Sequence, residues 1–218
     1  MTYSQRVAKA LLDINAVTLS PDKPFTWASG MKAPIYTDNR LTISYPDVRQ
    51  AIVNGMEEQI KLHFGDVDAI AGTATAGIPH ATGVAAEMGL PMVYVRTKPK
   101  DHGEGKQVEG VLHEGEKVVV VDDLISTGGS VLNAVHAIEN EGAEVIGVVS
   151  IFTYQLQAAE QNFMANNLQY FSVTNYTTLI NTAKENGLIS ADHLKSLQQW
   201  REDPMKWSNN HQLQIAAN

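Results

Sequence analysis

Four valines run into Asp122 and Asp123, and Leu124, Ile125, Ser126, Thr127, Gly128, Gly129 and Ser130 follow directly. The stretch VVVVDDLISTGGS joins two chemistries. Backbone N–H groups exposed at a helix start, with hydroxyls beside them and glycines that permit close approach, make an anion site. Carboxylates a few residues away would repel a phosphate, so they must meet another part of the ligand, either hydroxyl donors or a metal. A sugar phosphate has both parts. The same Ser-Thr-Gly-Gly could also be a plain strand-to-helix turn with a hydroxyl N-cap, and it is the acid pair that separates the two readings. No lysine follows these glycines as a P-loop needs, and no Gly-x-Gly-x-x-Gly follows a first strand as a dinucleotide site needs.

Two further loops could meet the same ligand. Arg96 to Gly110, RTKPKDHGEGKQVEG, holds Arg96, Lys98, Lys100, His102 and Lys106 among prolines and glycines. Such a long irregular connection is either a solvated hairpin tip or a lid, and a cationic lid suits a ligand with more phosphate than one turn can hold. Gly72 to Gly83, GTATAGIPHATG, could present N–H groups from Thr75 to Gly77 to a second anion, or could be a small-residue turn that packs a helix against a sheet.

Elements that could position these loops follow from periodicity. Val7, Ala10, Leu11, Ile14 and Val17 recur at helical spacing, and Tyr45 to Phe64 is helical in pattern, with an extended or looped FTWASGMKAPIYTDNRL between them. Strands are predicted at Val67–Ala74, Met92–Arg96, Lys117–Asp123, Val145–Phe152 and Leu168–Thr174, with helices at Ile78–Met88 and Ser130–Glu141. Continuous Val/Ile runs alternating with helices imply parallel strands covered on both faces, a doubly wound α/β sheet. In such sheets ligands bind at the carboxyl ends of the strands, where all three loops fall. The tail from Tyr176 reads as helical to about Trp200, with a polar end.

Composition narrows the partners. The net charge of -8 argues against a chain built to grip nucleic acid or an anionic membrane. With no cysteine, disulfides, thiolate metal sites and cysteine nucleophiles are excluded. The N-terminal MTYSQRVAKALLDI interleaves charges with apolar residues and does not read as a signal peptide, and the longest apolar run, VIGVVSIF, is too short to span a bilayer as a helix. The expected location is the cytoplasm. His63, His80, His113, His136, His193 and His211 show no metal-ligand spacing and read as structural or surface groups.

A hydrophobic strand, two acids and a Thr-Gly-Gly turn resemble the signature for phosphoribosyl pyrophosphate (PRPP) of the type I phosphoribosyltransferases. The lid KDHGEG and the segment FTWASGMKAPIYTDNR narrow the resemblance to the orotate-specific branch, and the tail YTTLINTAKENGLISADHLKSLQQWREDP extends it over most of the chain. The resemblance implies a single phosphoribosyltransferase domain over 1–218: an N-terminal hood segment about 1–45, a core about 46–175 with a mostly parallel central sheet flanked by helices and a flexible catalytic lid, and a helical tail about 176–218. It implies that Asp122 and Asp123 hydrogen-bond the ribose hydroxyls, that Ser126 to Ser130 hold the 5-phosphate, with Leu124 and Ile125 also at the PRPP, that Arg96, Lys100 and His102 contact the pyrophosphate, and that Ser126 also lies next to orotate. Lys100, His102 and Asp123 would be catalytic. It further implies a homodimer whose lids close over the partner's site, and Mg²⁺ held mainly by substrate oxygens and water.

Several positions depart from the best-known members. Thr97 stands where a second basic residue follows the lid arginine, Ala28 and Ala76 stand for lysines, and Thr153, Tyr154 and Gln155 replace an arginine expected on the orotate carboxylate. Backbone N–H groups near Lys32 to Thr37 are the candidates to replace them. A phosphoribosyltransferase for another base, a non-catalytic PRPP-binding regulator and a domain for another sugar phosphate remain alternatives. The intact basic lid favours an enzyme.

Overall fold

The computed structural model describes residues 1–98 and 106–216. It begins with helix α1, Tyr3–Asp13, closed at its start by a capping box between Thr2 and Gln5. Short strands follow: β1 Val17–Leu19, β2 Phe25–Thr26, β3 Lys32–Ala33 and β4 Ile35–Thr37. β1 pairs with β4 and β2 with β3, both antiparallel, so the hood is two small ribbons. A 3₁₀ turn, Asn39–Ser44, leads into α2, Pro46–His63, which has proline in its first turn and Lys61 and His63 in its last, as the helix dipole favours.

The core then alternates strand and helix: β5 Ala69–Thr73, α3 Gly77–Met88, β6 Met92–Val95, β7 Val108–Glu109, β8 Lys117–Ile125, α4 Gly129–Asn140, β9 Glu144–Thr153, α5 Gln157–Ala165 and β10 Tyr170–Asn175. The tail forms α6 Tyr176–Glu185, α7 Ala191–Glu202 and α8 Pro204–Ala216. Six strands make one sheet in the order β10-β9-β8-β5-β6-β7, parallel except for β7.

The valine run shows why this sheet is covered on both sides. Val119 and Val121 enter a core shared with α1, α2, α3, α6 and α7, whereas Val118 and Val120 enter a second core shared with α4 and α5. Alternate residues of a strand point to opposite faces, so only a strand buried twice can be valine throughout.

Three expectations need correction. β8 runs through Ile125, paired with Thr153 of β9, so the acids lie inside the strand's second half and not at its exit. Residues 157–165, unassigned from sequence, form α5; only Ala159 and Phe163 of it are buried, two anchors one turn apart and too few to show a period. The tail continues as helix beyond Trp200 to Ala216. Among the described residues no helix is long and apolar enough to cross a membrane.

Candidate active site

The chain leaves β5 toward β6 on one side and later returns to lay β8 on the other, so the direction of winding reverses between β5 and β8. A crevice opens at such a switch point, and ligands bind there. The acid pair sits on it. Thr73, at the end of β5, donates its hydroxyl to Asp122 Oδ1 across the switch at 2.5 Å, and the Asp123 N–H donates to the same oxygen at 2.9 Å. From the hood side, Asn39 donates Nδ2 to the Asp123 carbonyl at 2.8 Å; Asn39 is 1% exposed. Thr73 and Asn39 thus fix the backbone and one carboxylate of the pair. Sequence reasoning assigned neither, because each contacts the acids only after folding.

Burial raises the Asp122 carboxyl, against the pull of its Thr73 and Asp123 hydrogen bonds. Burial, then the neighbouring Asp122 charge, pushes Asp123 up to about 7. Among the described residues no lysine or arginine forms an ion pair with either acid. Arg40 is close enough to lower Asp123 slightly, but its guanidinium is engaged by Asp38 at 2.6 and 2.8 Å. Asp122 is buried and Asp123 partly buried, and with no ion-pair partner among the described residues the pair is an acceptor site for donors or positive charge.

The turn after β8 is built for an anion. Gly128 has φ +83, in the left-handed region, and a Cβ there would lie 2.8 Å from the Phe163 ring. Asn162 of α5 holds the turn by donating to the Thr127 carbonyl at 2.9 Å. No side chain caps α4 at Gly128, α3 at Ala76 or α5 at Leu156, the three helices that leave β8, β5 and β9 at their carboxyl ends. In their first turns Ile78 of α3 donates to the Thr75 carbonyl at 3.4 Å and Ala159 of α5 to the Leu156 carbonyl at 2.9 Å, and a helix start without a side-chain cap keeps N–H groups available to an anion. α3 also approaches closely: a Cβ on Gly77 would lie 2.6 Å from the Val121 carbonyl and strike the Thr73 hydroxyl. Gly128→Ala is accordingly expected to weaken anion binding at the turn at least tenfold and to cost about 1–3 kcal/mol of stability through strain and the Phe163 clash; phosphate-binding calorimetry and denaturant titration check both.

Beside the turn lies a cavity of about 530 Å³, lined by Thr26, Trp27, Ala28, Ser29, Met31, Tyr36, Thr37, Leu124, Ser126, Thr127, Tyr154 and Leu156. Its floor is aromatic. Tyr154, where a cation was expected, is 3% exposed and packs on Trp27, Phe152, Tyr176 and Trp200. The Trp27 indole donates to the Ile35 carbonyl at 3.1 Å, which fixes the ring under the hood. Of the N–H groups between Lys32 and Thr37, that of Lys32 is taken by Ser208 Oγ at 2.9 Å. The bonds Ser20 N to Pro34 O and Asp38 N to Ala16 O set the β1–β4 ladder, and its alternation turns the Thr37 N–H away from β1.

The basic loop is rooted on the sheet edge beside the crevice. The Arg96 N–H donates to the Gln107 carbonyl at 2.9 Å, and Gln107 Nε2 returns to the Arg96 carbonyl at 2.8 Å, so the intervening chain leaves and re-enters at one point. Arg96 faces Glu109 at 3.5 Å. Lys100 and His102 lie outside the described residues. His80, read as structural, is fully buried; burial lowers it to about 4, so it stays neutral against the Thr42 hydroxyl.

A mostly parallel sheet with paired acids and an anion-binding turn at its switch point defines a phosphoribosyltransferase, and the phosphoribosyl transferase domain profile matches residues 46–176. The chain is 56% identical over 209 residues to an orotate phosphoribosyltransferase of Streptococcus thermophilus, covering 96% of this chain and 100% of that one. The crystal structure of orotate phosphoribosyltransferase from Aeropyrum pernix matches with a TM-score of 0.71 at 26% identity, covering 84% of this chain and 99% of that one. The Mycobacterium tuberculosis enzyme, solved in complex with PRPP, matches with a TM-score of 0.65 at 26% identity, covering 82% and 99%. The chain belongs to the orotate phosphoribosyltransferase family.

Proposed function

We propose that the crevice transfers the 5-phosphoribosyl group from PRPP to N1 of orotate, giving orotidine 5-monophosphate and pyrophosphate, with the following division of labour. Asp122 and Asp123 accept hydrogen bonds from the ribose hydroxyls. The turn from Ser126 to Ser130, at the uncapped start of α4, takes the 5-phosphate. The base occupies the aromatic cavity. One observation carries this reading: Ser126 and Thr127 belong to the anion turn and also line the cavity, so a sugar phosphate held by the turn presents its C1 to a ring seated on Trp27 and Tyr154.

The C1–oxygen bond to pyrophosphate breaks, its electron pair leaving on the pyrophosphate, as N1 forms the C1–N1 bond and loses its proton to the departing pyrophosphate or to water, with positive charge growing on the sugar and negative charge on the leaving group. No protein nucleophile is needed. The pyrophosphate leaves toward the uncapped start of α3 and the root of the basic loop, where Arg96, Lys100 and His102 supply positive charge, and His102 or Lys100 can give it a proton. Closure of the loop excludes water that would hydrolyse PRPP. The acid pair offers hard oxygen donors with no partner cation among the described residues, which fits Mg²⁺ entering with the substrate; no group of three or more His, Asp or Glu among the described residues could hold it alone. When bound, Mg²⁺ supplies positive charge to the departing pyrophosphate. We assign the working protein to the cytoplasm and to a homodimer with lids shared between subunits.

Incubation with PRPP, Mg²⁺ and a panel of bases, followed by pyrophosphate release, tests the assignment. Release with orotate alone is expected. Release with another base instead moves the chain to a different acceptor, and binding without release makes it a PRPP sensor.

A further inference from the structure

Orotate carries a ring carboxylate and is an anion at neutral pH, yet the described walls of the base cavity contain no Lys, Arg or His. An anion taken from water into an aromatic pocket without a positive partner loses its hydration and gains little in return. A cation should therefore stand at the rim. Lys32 does. Thr26 and Lys32 are directly paired across the β2–β3 ribbon, opposed residues of an antiparallel pair project from the same face, and Thr26 lines the cavity. Lys32 Nζ donates to Thr26 Oγ1 at 2.7 Å, which places the ammonium at the cavity wall.

The backbone beneath this ammonium is held from an unexpected direction. Ser208 of α8, 2% exposed, accepts the Lys32 N–H at 2.9 Å. Its neighbour Trp207 is 5% exposed and donates its indole N–H to Ser196 of α7 at 3.1 Å. In the same wall of the cavity, the Thr37 hydroxyl lies against the Tyr154 phenol and hydrogen-bonds it.

We propose that Lys32 selects the acceptor: its ammonium pairs with the orotate carboxylate, and Ser208 is the positioning residue that holds Lys32 in place. The proposal rests on the reading of this chain as an orotate phosphoribosyltransferase. It explains how the pocket accepts an anion with Ala28 and Tyr154 in its walls, and it gives the C-terminal helix a role in base recognition.

The test compares Lys32→Met, which keeps the apolar stem, with Lys32→Arg, which keeps the charge. Lys32→Met is expected to raise the KM for orotate about 10- to 100-fold, the size of one lost charge-assisted hydrogen bond, with the KM for PRPP changed less than about twofold; Lys32→Arg recovers most of the loss. Calorimetric binding of orotidine 5-monophosphate against uridine 5-monophosphate, which lacks the carboxylate, reads the same contact without turnover. The wild type prefers the former, and Lys32→Met loses that preference while its affinity for uridine 5-monophosphate stays. Ser208→Ala should raise the orotate KM alone, by about threefold. A Lys32→Met protein that keeps both its orotate KM and its nucleotide preference overturns the proposal, and an unchanged orotate KM in Ser208→Ala removes Ser208 from it. Failure of the underlying function would show in the wild type, as release of pyrophosphate with a base other than orotate.

Discussion

Asp123→Asn is expected to lower kcat by about 100- to 1000-fold and, at pH 8, to raise the thermal midpoint of the ligand-free protein by several degrees. Both effects have one cause. In the folded chain Asp123 titrates near 7 because it is buried beside Asp122, whereas the unfolded chain releases that proton near the ordinary 3.8. Between about pH 4 and 7 the native state therefore holds a proton that the unfolded state has lost, and stability falls as pH rises through that window. A displacement from 3.8 to about 7 is worth about 4 kcal/mol in the isolated limit. Sharing of charge between the two acids and entry of water reduce this to about 1–3 kcal/mol. Each kcal/mol moves the midpoint of a chain this long by about 2–4 °C. Asparagine keeps the shape and removes the charge, so its variant should melt higher than wild type at pH 8 and alongside it at pH 4. Scanning calorimetry at both values decides, and an equal or lower midpoint at pH 8 would contradict the electrostatic account.

Ligand binding reverses that cost. Ribose hydroxyls need ionised acceptors, so PRPP binding expels the proton that the acid pair holds near neutrality. Affinity for PRPP should weaken as pH falls below about 7, by up to about tenfold per pH unit, and the dependence should flatten in Asp123→Asn. Calorimetry in buffers of different ionisation enthalpy measures the released proton directly.

The sugar half of the site was legible because it is contiguous. VVVVDDLISTGGS contains the strand, the acids, the turn and the first residues of the helix, and each is set by local chemistry: valines buried on two faces, Gly128 at φ +83, and no side chain capping the helix behind it. Even there the strand end was misplaced, since two polar residues interrupt an apolar run while the pairing of Leu124 with Phe152 and Ile125 with Thr153 carries the ladder on. The base half was not legible. Its walls come from 26–37, 124–127 and 154–156, and its hood strands β2 and β3 are two residues long, too short for any periodic signal. Lys32 looks like an ordinary hairpin lysine until its partners across the ribbon and on α8 are known. The expectation for the orotate side turned to backbone N–H groups near Lys32 to Thr37 and passed over the Lys32 side chain, whose place at the cavity depends on its partner Thr26 across the ribbon.

Lys100→Ala is expected to reduce kcat by about 100- to 1000-fold while changing orotate affinity less than about threefold, because a charge that meets only the departing pyrophosphate acts in the transition state and not on the bound base. Lys100 lies outside the described residues, but the root of its loop is fixed: Arg96 and Gln107 exchange two hydrogen bonds on the sheet edge next to β5. If lids cross between subunits of a dimer, a hybrid of one Lys100→Ala chain and one Asp123→Asn chain has one site with both defects and one with neither. Each hybrid should then show about half the wild-type activity, and random equal mixing, in which about half the dimers are hybrids, should restore about a quarter. Lids that serve their own subunit leave one defect in every site and restore nothing. Subunit mixing after partial denaturation, with hybrids verified by differently tagged chains, separates the two arrangements, and an inactive verified hybrid would rule out the shared lid.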